Sequence, residues 1–280
     1  MNNYKGAINT MKQQAYFLLV PLVFLLLAGA PAHAEQGEFP GRSIYSQVPT
    51  ISTEDFTSRF DEFVVIDVRS LFEYDTLHVK GARHIPLYDR EFAAKAKQLM
   101  QETGKQLVFY CNGRTCYKSY KAATKLRAAG VREGAYAYDA GVMDWARANP
   151  ELTVLLGESP IDPQRLLGKA EFESHLLSPD DFADRIAASA DPLVVDIRSR
   201  SQRRSVGLFV FVEQNIPLER SSDLEPVVNE AIASGKPLLV YDMAGKQVRW
   251  LQYYLESKGV QDYYFMRGGV RDFFKKSSRG

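Results

Sequence analysis

Only two cysteines occur in the 280 residues, Cys111 and Cys116, and both fall in one short segment. No disulfide framework can hold the fold together on that basis, so the pair is there for chemistry or for each other. Neither sign of charge is in excess: 35 Lys and Arg stand against 34 Asp and Glu, a formal net charge of +1. The balance gives no footing for a nucleic-acid partner or an anionic membrane surface, and any charged site must be local. Beyond the N-terminal stretch, no run is apolar enough to cross a bilayer. Disorder is not indicated either, since 45% apolar and 12% aromatic residues are ample for two buried cores.

Residues 1–34 read as a secretory signal peptide. Lys5 and Lys12 precede the apolar stretch from Ala15 to Ala28, and Ala32-His33-Ala34 supplies small residues for cleavage; Met11 is an alternative start. The stretch is short for a membrane span and contains Pro21. The expectation is a mature protein in an oxidising exported compartment, periplasmic or secreted, with no membrane attachment after cleavage.

Five landmarks recur in order at a near-constant offset of about 130 residues. Ser52-Thr53-Glu54-Asp55-Phe56 pairs with Ser178-Pro179-Asp180-Asp181-Phe182, each an N-cap and acidic first helical turn. Val64-Val65-Ile66-Asp67-Val68-Arg69 pairs with Val194-Val195-Asp196-Ile197-Arg198, aligning Asp67 with Asp196 and Arg69 with Arg198. Ile85-Pro86-Leu87 pairs with Ile216-Pro217-Leu218, Cys111 with Asp242, and the segment from Ala140 to Trp145 with that from Gly268 to Phe273. Chance similarity would not keep the order, so a duplicated domain is expected: 46–154, a linker at 155–174 carrying Pro160 and Pro163, and 175–278. Each copy alternates short Val/Ile/Leu runs with helical stretches near 91–102 and 119–129 in the first. The expected class is α/β, each domain a mostly parallel sheet flanked by helices.

In such sheets the site lies at the carboxyl ends of the strands. Leu107-Val108-Phe109-Tyr110 ends at Cys111, and Cys111-Asn112-Gly113-Arg114-Thr115-Cys116 leads into an Ala-rich helical stretch. Loop amides and the helix N-terminus stabilise an anion at such a turn, and the thiolate itself qualifies. Arg114 and Lys118 are candidate cations to lower its pKa from the usual value near 8.5. In the second copy Leu238-Leu239-Val240-Tyr241 leads to Asp242-Met243-Ala244-Gly245-Lys246, a carboxylate where the thiol stood.

These residues resemble the rhodanese family of sulfurtransferases. The resemblance rests on Asp67-Val68-Arg69, Glu73-Tyr74, His78, Gly81-Ala82 and Ile85-Pro86 upstream, and on Tyr138-Asp139-Ala140-Gly141-Val142 to Trp145 downstream. Family loops usually read Cys-x-x-Gly-x-Arg-Ser. Here Cys111 is followed by Asn112, Gly113, Arg114, Thr115, Cys116, Tyr117, Lys118 and Ser119, a longer loop similar to a Cys-Asn-Gly-x-x-Cys variant seen mostly in exported bacterial proteins. The second copy carries Asp242 for the nucleophile, Gln247 for the loop Arg, and Gln202 and Gly207 where Glu73 and His78 would fall.

The resemblance implies that Cys111 attacks the outer sulfur of a donor such as thiosulfate, and that a small or protein thiol, or cyanide, discharges the persulfide. Residues 112–119 would form the substrate-binding loop, with Arg114 gripping the anionic donor. No cofactor and no metal are expected. Asp67 and Arg69 are expected as structural support, His78 as a packed motif residue, Trp145 and Phe273 as core, and Arg198, Arg200, Arg203 and Arg204 as a solvated loop. For Cys116 a resolving or bridging partner, a second sulfur carrier and an inert residue all stay open. Competing readings are a thiol redox module cycling Cys111 and Cys116, a non-enzymatic binding protein, and a phosphatase-like enzyme. The last needs Arg where Tyr117 stands.

Overall fold

The computed structural model describes residues 39–203 and 207–277. The expected signal peptide at 1–34 and Arg204 lie outside the described residues.

The apolar run at 63–67 forms strand β1 (Phe63–Asp67). It is followed by β2 (Leu77–Val79), β3 (Arg83–His84), β4 (Gln106–Tyr110), β5 (Ala135–Tyr138) and β6 (Thr153–Leu155). A parallel sheet of order β3-β1-β4-β5 results, with Asp67 paired to Tyr110 and Tyr110 to Tyr138 in register. Leu107 to Tyr110 are fully buried because helices cover both faces, and this is why β4 is continuously apolar rather than alternating. Those helices include Phe92–Thr103 and Lys118–Ala128, within two residues of the expected spans.

A second parallel sheet contains β7 (Leu176–Leu177), β8 (Leu193–Asp196), β9 (Glu213–Asn215), β10 (Leu238–Tyr241) and β11 (Tyr263–Met266). Its order is β7-β11-β10-β8-β9, the first sheet's order with one strand added beside β11. At the equivalent edge of the first sheet Thr50 makes only an isolated parallel bridge to Ala137. The two helices that follow these edges start alike: the Ser52 and Ser178 side chains accept from the amides of Asp55 and Asp181, caps worth about 1 kcal/mol each.

β6 pairs antiparallel with β2, so the connector read at 155–174 begins inside a strand. It continues through a 3-10 turn at Pro163–Arg165 and a helix at Lys169–Ser174. Leu166 and Leu167 are buried in a core that joins Trp145 and Tyr138 of the first unit to Trp250 and Tyr253 of the second. The Leu167 amide donates to the Tyr253 hydroxyl at 3.0 Å, which fixes the connector against the helix Val248–Ser257. Among the described residues no helix is long and apolar enough to cross a membrane.

Candidate active site

The carboxyl ends of β4 and β10 each feed a loop into a helix N-terminus, and each loop is closed in the same way. The Val142 amide donates to the Cys111 carbonyl at 3.0 Å, and the Val270 amide donates to the Asp242 carbonyl at 3.0 Å. Gly141 (φ +79°) lies so close that a Cβ there would sit 2.3 Å from Gly113 Cα and N. Only glycine satisfies both the left-handed backbone and the approach.

The second loop shows what this geometry does. Asp242 is 1% exposed, and its carboxylate accepts from the amides of Ala244 (2.8 Å), Gly245, Lys246 (2.9 Å), Gln247 (2.6 Å) and Val248 (3.4 Å). The loop is an anion nest, filled by its own side chain.

In the first loop the equivalent position holds Cys111, fully buried. Its thiol donates to the Cys116 carbonyl at 3.0 Å, and its sulfur lies 3.8 Å from Ser119 Oγ. Cys116 is half-buried, and both cysteines are free. Burial pushes the Cys111 thiol well above the usual thiol range, helped by its contact with Cys116 and opposed by the amides of Ser119 and Gly113. The hydrogen bond from Cys111, with the amides of Lys118 and Asn112 and the Lys118 ammonium, outweighs burial at Cys116 and lowers its pKa to about 6. Two thiols this close titrate as a pair.

The expected support pair is present. Arg69 is buried, with Nε 3.0 and 3.1 Å from the two Asp67 oxygens. Its Nη1 donates to Asn112 Oδ1 at 3.2 Å, and Asn112 Nδ2 donates to Glu73 Oε1 at 2.6 Å. Glu73 caps the helix Leu71–Thr76 with Ser70, and Lys118 stands 3.9 Å away. Burial opposes ionisation of Glu73, but Lys118, Arg69 and the Asn112 amide hold its carboxyl below the ordinary value. A chain of contacts thus runs from the end of β1 to the cation beside Cys116. Glu73 was named in the sequence only as a motif residue; its capping box, Ser70-Leu71-Phe72-Glu73, is the signal that could have placed it.

Other loop residues fall differently. Arg114 lines the same cleft as Cys116 but is paired with Asp144 (Nε 3.0 Å, Nη2 2.8 Å) and lies 5.0 Å from the Phe39 ring centroid. Thr115 is exposed, the Tyr117 ring lies tilted against Tyr45 with centroids 6.0 Å apart, and Ser119 is buried in the first turn of the helix. His78 is a packed residue, bonded through Nδ1 to the Tyr74 carbonyl at 2.7 Å and stacked on that ring. Trp145 is fully buried, and Phe273 packs against a second-unit core.

The arginines after β8 are not a solvated cluster. Arg198 is 1% exposed and bonded to both Asp196 oxygens, while Arg203 bridges Asp196 (3.1 Å) and Glu213 (2.6 Å). Strand carboxylates spaced through the sequence converge on them and make a structural network. Arg200 is exposed.

Both loops line one cleft of about 800 Å³, whose wall includes Cys116, Lys118, Lys246, Arg249, Trp250 and Arg271; Arg249 donates to the Leu167 carbonyl at 3.2 Å. Lys246 and Arg271 have no carboxylate partner among the described residues. The acids of the wall, Glu73 and Asp242, are already satisfied, so the cleft presents positive charge to an anionic ligand. No group of three or more His, Cys, Asp or Glu side chains that could hold a metal occurs among the described residues.

Residues 52–148 match the model of the rhodanese-like domain. No curated protein matches the chain. Among solved structures, a Bacillus halodurans protein is 23% identical with a TM-score of 0.35, over 52% of this chain and 98% of its own. The thiosulfate sulfurtransferase of Pseudomonas aeruginosa is 19% identical with a TM-score of 0.33, over 84% of this chain and 47% of its own. A rhodanese-related protein of Thermoplasma volcanium is 23% identical with a TM-score of 0.30, over 36% of this chain and 92% of its own.

Proposed function

We propose that this protein is an exported sulfurtransferase that moves sulfane sulfur from an anionic donor such as thiosulfate to a small or protein thiol, or to cyanide, through a persulfide on the Cys111 loop. The observation that carries the reading is the pair of equivalent loops. One cradles a carboxylate with five amides, and the other places a cysteine pair at the same strand end. A loop built to hold a negative charge, and armed with a thiolate, suits a persulfide anion.

In the reaction a loop thiolate attacks the outer sulfur of thiosulfate. The sulfur–sulfur bond of the donor breaks, sulfite leaves with the bonding pair, and the persulfide keeps one negative charge. An acceptor thiolate or cyanide then takes the outer sulfur and regenerates the thiolate. Lys118 lowers the pKa of Cys116, and Lys246 and Arg271 of the second unit draw the anion into the cleft. Asp242 has no nucleophilic sulfur and its lone pairs are spent on amides, so the second unit contributes a wall and not a second centre.

The test is thiocyanate formation from thiosulfate and cyanide by the reduced mature protein. The wild type should turn over, and Cys111→Ser combined with Cys116→Ser should fall to background. An active double variant, or an inert wild type, would end this reading. The direct contact of Cys111 with Cys116 also favours a second one, dithiol–disulfide cycling. That alternative predicts a two-hydrogen mass loss on mild oxidation and no sulfur gained from thiosulfate.

Gly141→Ala should lower the transfer rate about a hundredfold, because the new Cβ forces the loop backbone off its position and misplacement by about 1 Å carries that penalty. Steady-state kinetics on a folded variant checks this. An unchanged rate would mean that the loop can shift without consequence.

A further inference from the structure

The two cysteines differ in access. Cys111 is 0% exposed, boxed between the Cys116 carbonyl at 3.0 Å and Ser119 Oγ at 3.8 Å, and it forms no part of the cleft wall. A donor in the cleft cannot touch the Cys111 sulfur unless the loop moves. Cys116 is in the wall, next to Lys118 and opposite Lys246 and Arg271. An anionic donor entering the cleft meets Cys116 first. Behind it stands the Cys111 thiol, which donates to the carbonyl of the same residue at 3.0 Å.

We propose that the donor loads Cys116, and that Cys111 then attacks the Cys116 sulfur, releasing sulfide and closing a Cys111–Cys116 disulfide. The protein then reduces sulfane sulfur as well as transferring it. The inference rests on the sulfurtransferase reading insofar as the donor carries sulfane sulfur.

The steps balance. The Cys116 thiolate attacks the outer sulfur of thiosulfate, the donor's sulfur–sulfur bond breaks, and sulfite leaves with the electron pair. The Cys111 sulfur attacks the inner sulfur of the Cys116 persulfide, and the terminal sulfur departs with that bond's pair and the Cys111 proton as hydrosulfide. Two thiols are oxidised to one disulfide and one sulfane sulfur is reduced to sulfide. One turnover needs no other reactant. Repeated turnover needs an external dithiol, such as a reducing protein with paired cysteines, to reopen the disulfide by exchange. A competing thiol or cyanide that reaches the cleft first takes the outer sulfur from Cys116, which is ordinary transfer.

The experiment is a single turnover of the prereduced mature protein with thiosulfate alone, without oxygen, reading sulfite, sulfide and intact mass. The wild type should release one equivalent each of sulfite and sulfide and lose two hydrogens. Cys111→Ser should release sulfite, gain one sulfur on residue 116 and release no sulfide, and Cys111→Ala should repeat this if serine disturbs the buried site. Cys116→Ser should release no sulfite. A sulfur gained on residue 111 in Cys116→Ser, with a wild type that keeps its sulfur and makes no sulfide, would overturn the assignment while leaving sulfur transfer in place. Absence of sulfite from all four proteins would overturn both.

Discussion

Asp242→Ala should unfold at a temperature roughly 6–12 °C below the wild type, and sulfate should recover much of the difference. The carboxylate now satisfies the amides of residues 244–248 at the start of the helix Val248–Ser257. Removing it leaves buried donors whose desolvation costs about 1–3 kcal/mol each when unmet. Water entering from the cleft recovers part, and a net loss of about 3 kcal/mol is expected, which at this chain size converts to the shift stated. The emptied nest faces the basic cleft and should take up a tetrahedral dianion. An anion at about a hundred times its dissociation constant restores about 2.7 kcal/mol. Thermal melts in sulfate and in chloride at equal ionic strength separate binding from screening. If both salts act alike on Asp242→Ala, the nest is not a ligand site and the loop has simply rearranged.

Arg69→Met should be the most destabilising single change in the first unit. It strands the Asp67 carboxylate, fully buried, without its cation, a loss of about 3–5 kcal/mol. It also frees Asn112, which Arg69 holds by its oxygen, so transfer by the remaining folded protein should fall too. Arg69→Lys keeps the charge but not the fork that spans both Asp67 oxygens and reaches Asn112, and should lie between. Asp67→Leu combined with Arg69→Met removes both charges and should be more stable than Arg69→Met alone, because a buried pair costs most when halved. Denaturant midpoints of the four proteins decide the matter. A single Arg69→Met variant as stable as wild type would show that water reaches Asp67.

Features set by neighbours in the chain were legible before the structure. The helix caps at Ser52 and Ser178 depend on residues three positions on, and the Asp67–Arg69 pair on residues two apart. The buried strands announced themselves by length and unbroken apolar character. What depended on distant partners was not legible. Arg114 looked like the natural anchor for an anion, but Asp144 arrives from the helix Gly141–Ala148 and takes it. The arginines after β8 looked solvated because Glu213, which Arg203 meets, lies on a strand ten residues further on. The order of access to the two sulfurs depends on the loop turning back through the Cys116 amide to the Gly113 carbonyl at 2.7 Å. Nothing in residue spacing states which thiol ends up inside.

Trp250 couples the second unit to the first. Its ring lies 5.0 Å from the Arg69 guanidinium, across the boundary between the two sheets, and Arg69 in turn holds Asn112 of the cysteine loop. A change on the helix Val248–Ser257 therefore reaches the cysteine loop through one ring and one guanidinium, so the unit without a cysteine bears directly on the shape of the loop that has two.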